Sequence, residues 1–226
     1  WWDSSDEDTL FFNSGNVSSW ADKSASELYA TQSATNRQPY FNPSTSSIVF
    51  DGSDDYLNTG KQPSYLGLNG NTPQTVSSLV LVSSFNSGGV FSYGRQSTYN
   101  EFSLRTTDTE GTWQFQAWSS GDRDFASGSA NEWIFFVIIW DGSRIKIYAN
   151  GYEMLNSSNN LNIEDSDPLR FGVWDGYYFH GEIRESHLFN QAISKDDREK
   201  LEGYALHKWS LASKLPATHP YKNESP

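Results

Sequence analysis

Five dipeptides set the frame for this chain: Asp51-Gly52, Asn69-Gly70, Asp141-Gly142, Asn150-Gly151 and Asp175-Gly176. In each, the first residue tolerates a positive φ and the second favours one, as tight hairpin turns demand. Between them lie short runs rich in β-branched and aromatic residues, a spacing that predicts an all-β sandwich or barrel. Residues 75–85, "TVSSLVLVSSF", and 131–143, "NEWIFFVIIWDGS", carry unbroken apolar runs, as central strands covered on both faces do. In "GTWQFQAW" the pattern alternates instead. Trp113, Phe115 and Ala117 share one face, and Gln114, Gln116 and Trp118 the other. "RIKIYANG" alternates likewise, Ile145 and Ile147 inward and Lys146 and Tyr148 outward, so a meander is expected here.

One segment departs from strand periodicity. In "ISKDDREKLEGYALHKWSL" Ser194 is suited to N-cap a helix, with Asp197 three residues on. Leu201, Tyr204, Ala205, Lys208 and Trp209 then fall on one helical face. The expectation is a helix over about 195–211 that clasps the sandwich.

A chain of 226 residues with 15% aromatic and 19% charged residues can bury a large core and is not disordered in bulk. Its 28 acidic residues outnumber 16 basic ones, a net charge of −12 that repels nucleic acid and anionic membranes. Cysteine is absent, which excludes disulfides, Cys-bearing zinc sites and thiol catalysis. The longest apolar run, 133–140, is too short to span a bilayer. The first residue is Trp and no signal-peptide pattern follows, so a single domain over 1–226, cut from a larger protein, is expected.

Two stretches carry candidate chemistry. "FDGSDDYL" places Asp51, Asp54 and Asp55 beside a glycine. As an EF-hand loop it fails, because Tyr56 stands where glycine is required and Gln62 where the bidentate Glu belongs. A strand corner with capping carboxylates accounts for it, and a metal site remains the second reading. "FGVWDGYYFHG" places Trp174, Tyr177 and Tyr178 around the Asp175-Gly176 turn. With Trp118, these rings suit stacking on sugar C–H faces, while Asp175, Arg123 and His180 offer partners for hydroxyls; the alternative is that they cover the core edge.

Signs of catalysis are few. Glu164 and Asp165 are adjacent, and Glu182 and Glu185 are out of phase on a regular strand, so neither pair gives the spacing of a retaining glycosidase. His180 and His187, seven apart, fall on opposite faces of a regular strand, and no histidine pair has zinc-site spacing.

"WWDSSDEDTL…VSSWADKS", "QPYF…IVFDGSDDYL", "WDGSRIKIYANG" and "FHGEIRESHLFNQAISKDDREKLEGYALHKW…LPATHPY" carry a likeness over nearly the whole chain. It resembles the bacterial and phage laminin-G-like domains of the concanavalin A-like lectin/glucanase superfamily. It departs from them at Ser24-Ala25-Ser26 and in its aromatic-rich 173–183 segment. The resemblance implies a two-sheet antiparallel jelly-roll sandwich with one C-terminal helix. It also implies that Ca²⁺ held by carboxylates from separated loops is a candidate cofactor, with Asp51, Asp54 and Asp55 first and Asp122, Asp124 and Asp175 as others. The expected function is non-catalytic binding of a glycan or cell-surface polysaccharide through Trp118, Arg123, Trp174, Asp175, Tyr177 and Tyr178. The module would act beside neighbouring domains of an extracellular, cell-surface or virion-surface protein. A structural or protein-contact role in a surface fibre is the alternative, and a glycan-degrading enzyme the third.

Overall fold

The computed structural model describes residues 1–24 and 26–226; Ala25, within the Ser24-Ala25-Ser26 departure, lies outside them. The first strands are β1 (Trp2–Asp3), β2 (Leu10–Asn13), β3 (Asn16–Ala21), β4 (Tyr29–Thr31), β5 (Tyr40–Asn42), β6 (Ser47–Asp51) and β7 (Leu57–Asn58). Next come β8 (Gln74–Val82), β9 (Gly89–Gly94), β10 (Glu101–Thr106), β11 (Thr112–Gln116), β12 (Arg123–Ala126) and β13 (Trp133–Trp140). The last are β14 (Arg144–Ala149), β15 (Tyr152–Ser158), β16 (Asp167–Phe171), β17 (Val173–Trp174), β18 (Tyr177–Tyr178) and β19 (His180–Phe189), before α1 (Lys195–Lys208).

Two antiparallel sheets result. The first runs β5–β6–β19–β8–β13–β14–β15, with β1 continuing the β6 side of β19. The second runs β2–β3–β4–β7–β16–β9–β10–β11–β12. They meet at one side through the Asn16–Tyr40 bridge. At the other, Arg123 Nε donates to Ser157 Oγ at 3.0 Å and Nη2 to the Ser158 carbonyl at 2.9 Å. This is the expected jelly roll, and β13–β14–β15 is the expected meander. Aromatic rings fill the space between the sheets. Trp113 meets Phe136 edge-on at 4.7 Å, and Trp2 and Trp20 both pack on Phe171 at 5.1 and 5.6 Å. Each such pair adds about 0.5–1.5 kcal/mol to the burial itself.

The helix forms where its cap predicts. Ser194 Oγ accepts the Asp197 amide at 3.1 Å, and the helix ends at Lys208, three residues short of the expected boundary, before a short 3₁₀ turn, Ala212–Lys214. It covers the outer face of the first sheet. Ala205 and Leu206 pack with Leu79, Phe135, Val137 and Ile139 in a second apolar cluster. The buried helix residues include Arg198 and Glu202, which the apolar pattern did not mark. Arg198 bonds Glu202 at 2.7 Å and lies 3.9 Å over the Tyr148 ring, while His219 closes on Glu202 at 3.1 Å.

Strand β19 corrects two expectations at once. A bulge at Arg184 shifts its register, so Ile183 pairs with core-facing Val80 and Glu185 with helix-facing Leu79. Glu182 and Glu185 therefore share the outer face, as do His180 and His187, where a regular strand would have separated each pair. None of these carboxylates is free. Glu182 Oε2 accepts the Ser47 and Thr45 hydroxyls at 2.5 and 3.0 Å. Glu185, fully buried, accepts Trp1 Nε1 at 2.8 Å, Tyr204 Oη at 3.1 Å, Lys208 Nζ at 3.1 Å and Trp209 Nε1 at 2.7 Å. His187 Nε2 stands 3.3 Å from the same carboxylate, and its Nδ1 is 2.9 Å from Ser77 Oγ. Burial alone would raise the Glu185 pKa, yet its donors, His187 first, hold it down at about 2. Burial also lowers the His187 pKa, so a neutral imidazole donates to an ionised Glu185. Ser77, His187 and Glu185 resemble a nucleophile relay in composition only. Trp1 stacks on the imidazole at 5.8 Å and no substrate can reach it.

Because Glu185 has its folded pKa below the ordinary value of 4.5, its contribution is complete above that value and fades as pH falls towards 2. Glu185→Ala should lower unfolding free energy by on the order of 3–5 kcal/mol at pH 7, since two indole N–H groups lose their acceptor and Lys208 keeps only Asp3 as a carboxylate partner. Urea melts followed by tryptophan fluorescence check this, and the wild-type–variant gap should narrow below about pH 4.

Candidate functional site

The acidic corner joins β6 to β7. Gly52 takes φ +78°, and a Cβ there would stand 2.7 Å from the His180 Cβ, so the turn admits only glycine. Asp51 Oδ1 accepts the Ser53 amide at 2.8 Å, and Asp55 Oδ2 reaches back to the Asp51 amide at 3.1 Å. The turn chemistry expected of these acids is thus realised. Oxygens of Asp51, Asp54 and Asp55 also lie within 4.8 Å of one another. Burial first, then the Asp51 and Asp54 charges, raise the Asp55 pKa to about 6. An all-oxygen, mutually repelling donor set fits a hard divalent cation such as Ca²⁺.

The aromatic hairpin β17–β18 folds onto the outer face of the second sheet. Strand β9 accepts it because Gly88 and Gly89 are bare there: a Cβ on Gly88 would come within 2.3 Å of the Tyr178 carbonyl, and one on Gly89 within 2.4 Å of Trp174 Cβ. The turn carries Asp175 at φ +45° and Gly176 at φ +79°, the pair a type I′ turn needs. Ser92 Oγ donates to the Val173 carbonyl at 2.8 Å from below.

Behind the hairpin the outer face is sealed. Trp174 is 8% exposed, with Arg105 4.4 Å over its ring, Tyr177 stacked at 5.4 Å and Trp118 at 6.2 Å. Trp118 reaches this place at φ +68°, a strained conformation for a bulky residue. Beneath lies Glu101, 4% exposed, accepting Ser103 Oγ at 2.8 Å. Burial raises its pKa to about 8 despite the pull of Ser103 and the Trp174 indole, although neither Glu101 Oε2 nor Trp174 Nε1 completes a well-formed hydrogen bond. This side is a packed polar interior rather than a groove.

In front of the hairpin the face is open. Pairing aligns Thr31, Asn58 and Arg170 in one row across β4, β7 and β16, pointing away from the core. Two recesses adjoin along it. One, of about 550 Å³, is lined by hydroxyls and amides that include Thr31, Gln32, Gln38 and Asn58. The other, of about 210 Å³, lies between Arg37, Tyr56, Asn58, Arg170 and Tyr178. Tyr56 and Asn58 border both. The Tyr56 and Tyr178 rings stand 6.5 Å apart, and buried Gln38 leaves Oε1 without a partner.

The residues singled out by sequence thus separate. Trp118, Trp174 and Tyr177 form one ring cluster, with Tyr177 half-exposed at its crest; Tyr178 faces the open recess; Asp175 is exposed at the turn. Arg123 uses its guanidinium on Ser157 and on the Ser120, Asp122 and Ser158 carbonyls, which ties the sheets together. Of the further acids, Asp122 accepts the Ala117 amide and Asp124 the Gln114 side chain. The open recess is built instead from Tyr56, Asn58, Arg170, Arg37 and Gln38. The alternation around Leu57, and that of Leu169 and Phe171 around Arg170, could have pointed to the first three.

A laminin-G-type model of the concanavalin A-like lectin/glucanases superfamily matches residues 51–197. No curated protein matches the chain. Among solved structures, domain 4 of the extracellular arabinanase AbnA of Geobacillus stearothermophilus, in complex with arabinotriose, is 21% identical with a TM-score of 0.52. That match covers 66% of this chain and 72% of the other. The CBM40 module of Ruminococcus gnavus IT-sialidase, bound to α2,3-sialyllactose, is 17% identical with a TM-score of 0.53, covering 67% and 92%. The binding domain of botulinum neurotoxin DC, in complex with rat synaptotagmin II, is 14% identical with a TM-score of 0.54, covering 84% and 52%. At such identities the likeness is one of fold. With the matched span taking in the acidic corner, the aromatic hairpin and most of both sheets, this chain belongs to the concanavalin A-like lectin/glucanases superfamily.

Proposed function

We propose that the chain is a non-catalytic carbohydrate-binding module whose ligand lies in the open recesses beside the β17–β18 hairpin. The observation that carries this reading is a polar, two-part cleft walled by Tyr56 and Tyr178, with amides and hydroxyls across its floor. Sugars need that combination: rings for their C–H faces, convergent hydrogen-bonding groups for their hydroxyls. Glu182 and Glu185, the carboxylates the β19 bulge aligns, are both held by hydrogen bonds within the fold, and Glu185 is fully buried, which favours binding over hydrolysis. The whole chain, 1–226, would serve as one module of a larger extracellular or surface protein, where repeated display makes weak binding usable. No helix of the described residues is long and apolar enough to cross a membrane.

A protein-contact role is the second reading. Phe11 and Tyr29, each nearly half exposed, pack together at 6.1 Å, with Phe12 and Tyr40 also nearly half exposed on neighbouring strands, and such rings are enriched at protein interfaces.

A glycan array probed with the isolated protein tests the first reading. Bound glycans should lose about tenfold in affinity with Tyr178→Ala and with Asn58→Ala, while Arg123→Gln affects the melting temperature rather than binding. If every Tyr178 and Asn58 variant binds like wild type, the cleft is not the site.

Calcium at the acidic corner belongs to the same proposal, with Asp51, Asp54 and Asp55 as its ligands. The Asp55 folded pKa is raised, so the neutral form stabilises the metal-free protein below the ordinary value of 3.8, and this is lost as pH climbs through about 6. In EDTA at pH 7, Asp55→Asn should therefore be more stable than wild type by on the order of 1–2 kcal/mol, with no difference below about pH 4. Millimolar Ca²⁺ should reverse the order by raising the wild-type melting temperature saturably. A wild-type melt indifferent to Ca²⁺ removes the cation and leaves the corner as turn chemistry.

A further inference from the structure

We propose that the ligand is an anionic saccharide, its carboxylate or sulfate held between Arg37 and Arg170; this rests on the glycan-binding reading above. The chain carries 28 acidic residues and only eight arginines, yet two arginines line the same 210 Å³ recess and no acidic side chain does. Their charges are incompletely matched. Arg37 makes no side-chain hydrogen bond among the described residues, and its nearest carboxylate, Asp54, is 3.9 Å away. Arg170 gives Nη2 to Asp167 at 2.6 Å and keeps Nε and Nη1 without a protein acceptor among the described residues.

The two guanidiniums are mounted differently, as a receptor for a charged group requires. Arg170 projects from the middle of the row between Asn58 and Ser92, fixed by strand pairing on both sides. Arg37 ends the 3₁₀ turn Thr35–Arg37, and its half-exposed side chain can adjust to a ligand. Planar guanidinium forks match carboxylate and sulfate oxygens in pairs, which an ammonium cannot do. The Tyr56 and Tyr178 rings beside them supply a surface for the sugar ring that carries the charge.

The adjoining 550 Å³ recess has no charged lining residue at all. Its hydroxyls and amides suit neutral sugar units. The ligand this describes is an oligosaccharide with one charged unit in the arginine recess and neutral neighbours in the amide recess.

The test is an array holding matched neutral, uronate- or sialate-bearing and sulfated oligosaccharides, followed by titration calorimetry on the strongest hits. Acid-bearing glycans should dominate, and the carboxylated and sulfated arms tell which group fits. Arg37→Gln and Arg170→Gln should each weaken acidic hits about tenfold while leaving any neutral-glycan binding within about twofold. Arg37 holds no structural hydrogen bond, so its variant reports on binding even where Arg170→Gln disturbs folding; thermal melts of both accompany the titrations. Hits confined to neutral glycans overturn the anionic assignment and leave the glycan-binding reading standing. Acidic hits indifferent to both substitutions also overturn it. An array with no hit of any kind overturns both.

Discussion

A carboxylate removed from water must be met by donors on all sides, and Glu185 meets that demand with groups from three parts of the chain. Trp1 comes from the first residues, His187 from the same strand, and Tyr204, Lys208 and Trp209 from α1 and its end. Their convergence holds the helix and the N-terminal segment on the outer face of the first sheet. The geometry depends on the Arg184 bulge, since without it Glu185 would face the aromatic core, where no donor waits. Arg184 itself is turned towards the Trp133 and Trp209 rings, at 3.9 and 4.8 Å. A bulge that re-aims one acid thus decides which sheet face is closed by the clasp. The second sheet is left to present a surface.

On that second face the hairpin does comparable work by subtraction. Gly88 and Gly89 leave the start of β9 without side chains, and the backbone of β17–β18 lies against it there. The hairpin then divides a polar face in two. On one side Glu101, Ser103 and Gln116 are sealed below Trp174 and Arg105; on the other Thr31, Asn58 and Arg170 remain accessible. The same row of outward side chains is interior in one half and open surface in the other.

Much of the fold was legible because its signals are local. Turn dipeptides, the two unbroken apolar strands and the Ser194 cap each act within a few residues, and the structure follows them. The Arg184 bulge was not legible, because it arises from pairing with β8, over 100 residues away, and it reversed the phase of both the Glu182–Glu185 and the His180–His187 pair. The candidate site was readable in part for the same reason. Alternation marks Tyr56, Asn58 and Arg170 as outward-facing, but only the β4–β7–β16 pairing puts them in one row. Arg37 and Gln38 lie in an irregular segment with no period to read. Of the rings around the Asp175-Gly176 turn, Tyr177 stays half-exposed while the guanidinium of Arg105 covers Trp174, a contact between separate strands that no local pattern marks.

Asp54 links the acidic corner to the cleft. Its carboxylate is within 3.9 Å of Arg37 Nε and within 4.8 Å of its two neighbouring acids, so one side chain serves both places. A cation drawn to the corner would compete with Arg37 for Asp54, and an anion in the cleft would compete with Asp54 for Arg37. Each ligand therefore removes the partner that weakens the other, and linkage makes any such coupling equal in both directions. On this reasoning the corner and the cleft form one electrostatic unit, in which a chain of net charge −12 sets a small positive pocket beside a concentration of negative charge. A site arranged in this way would select for acidic ligands most strongly when the corner is filled.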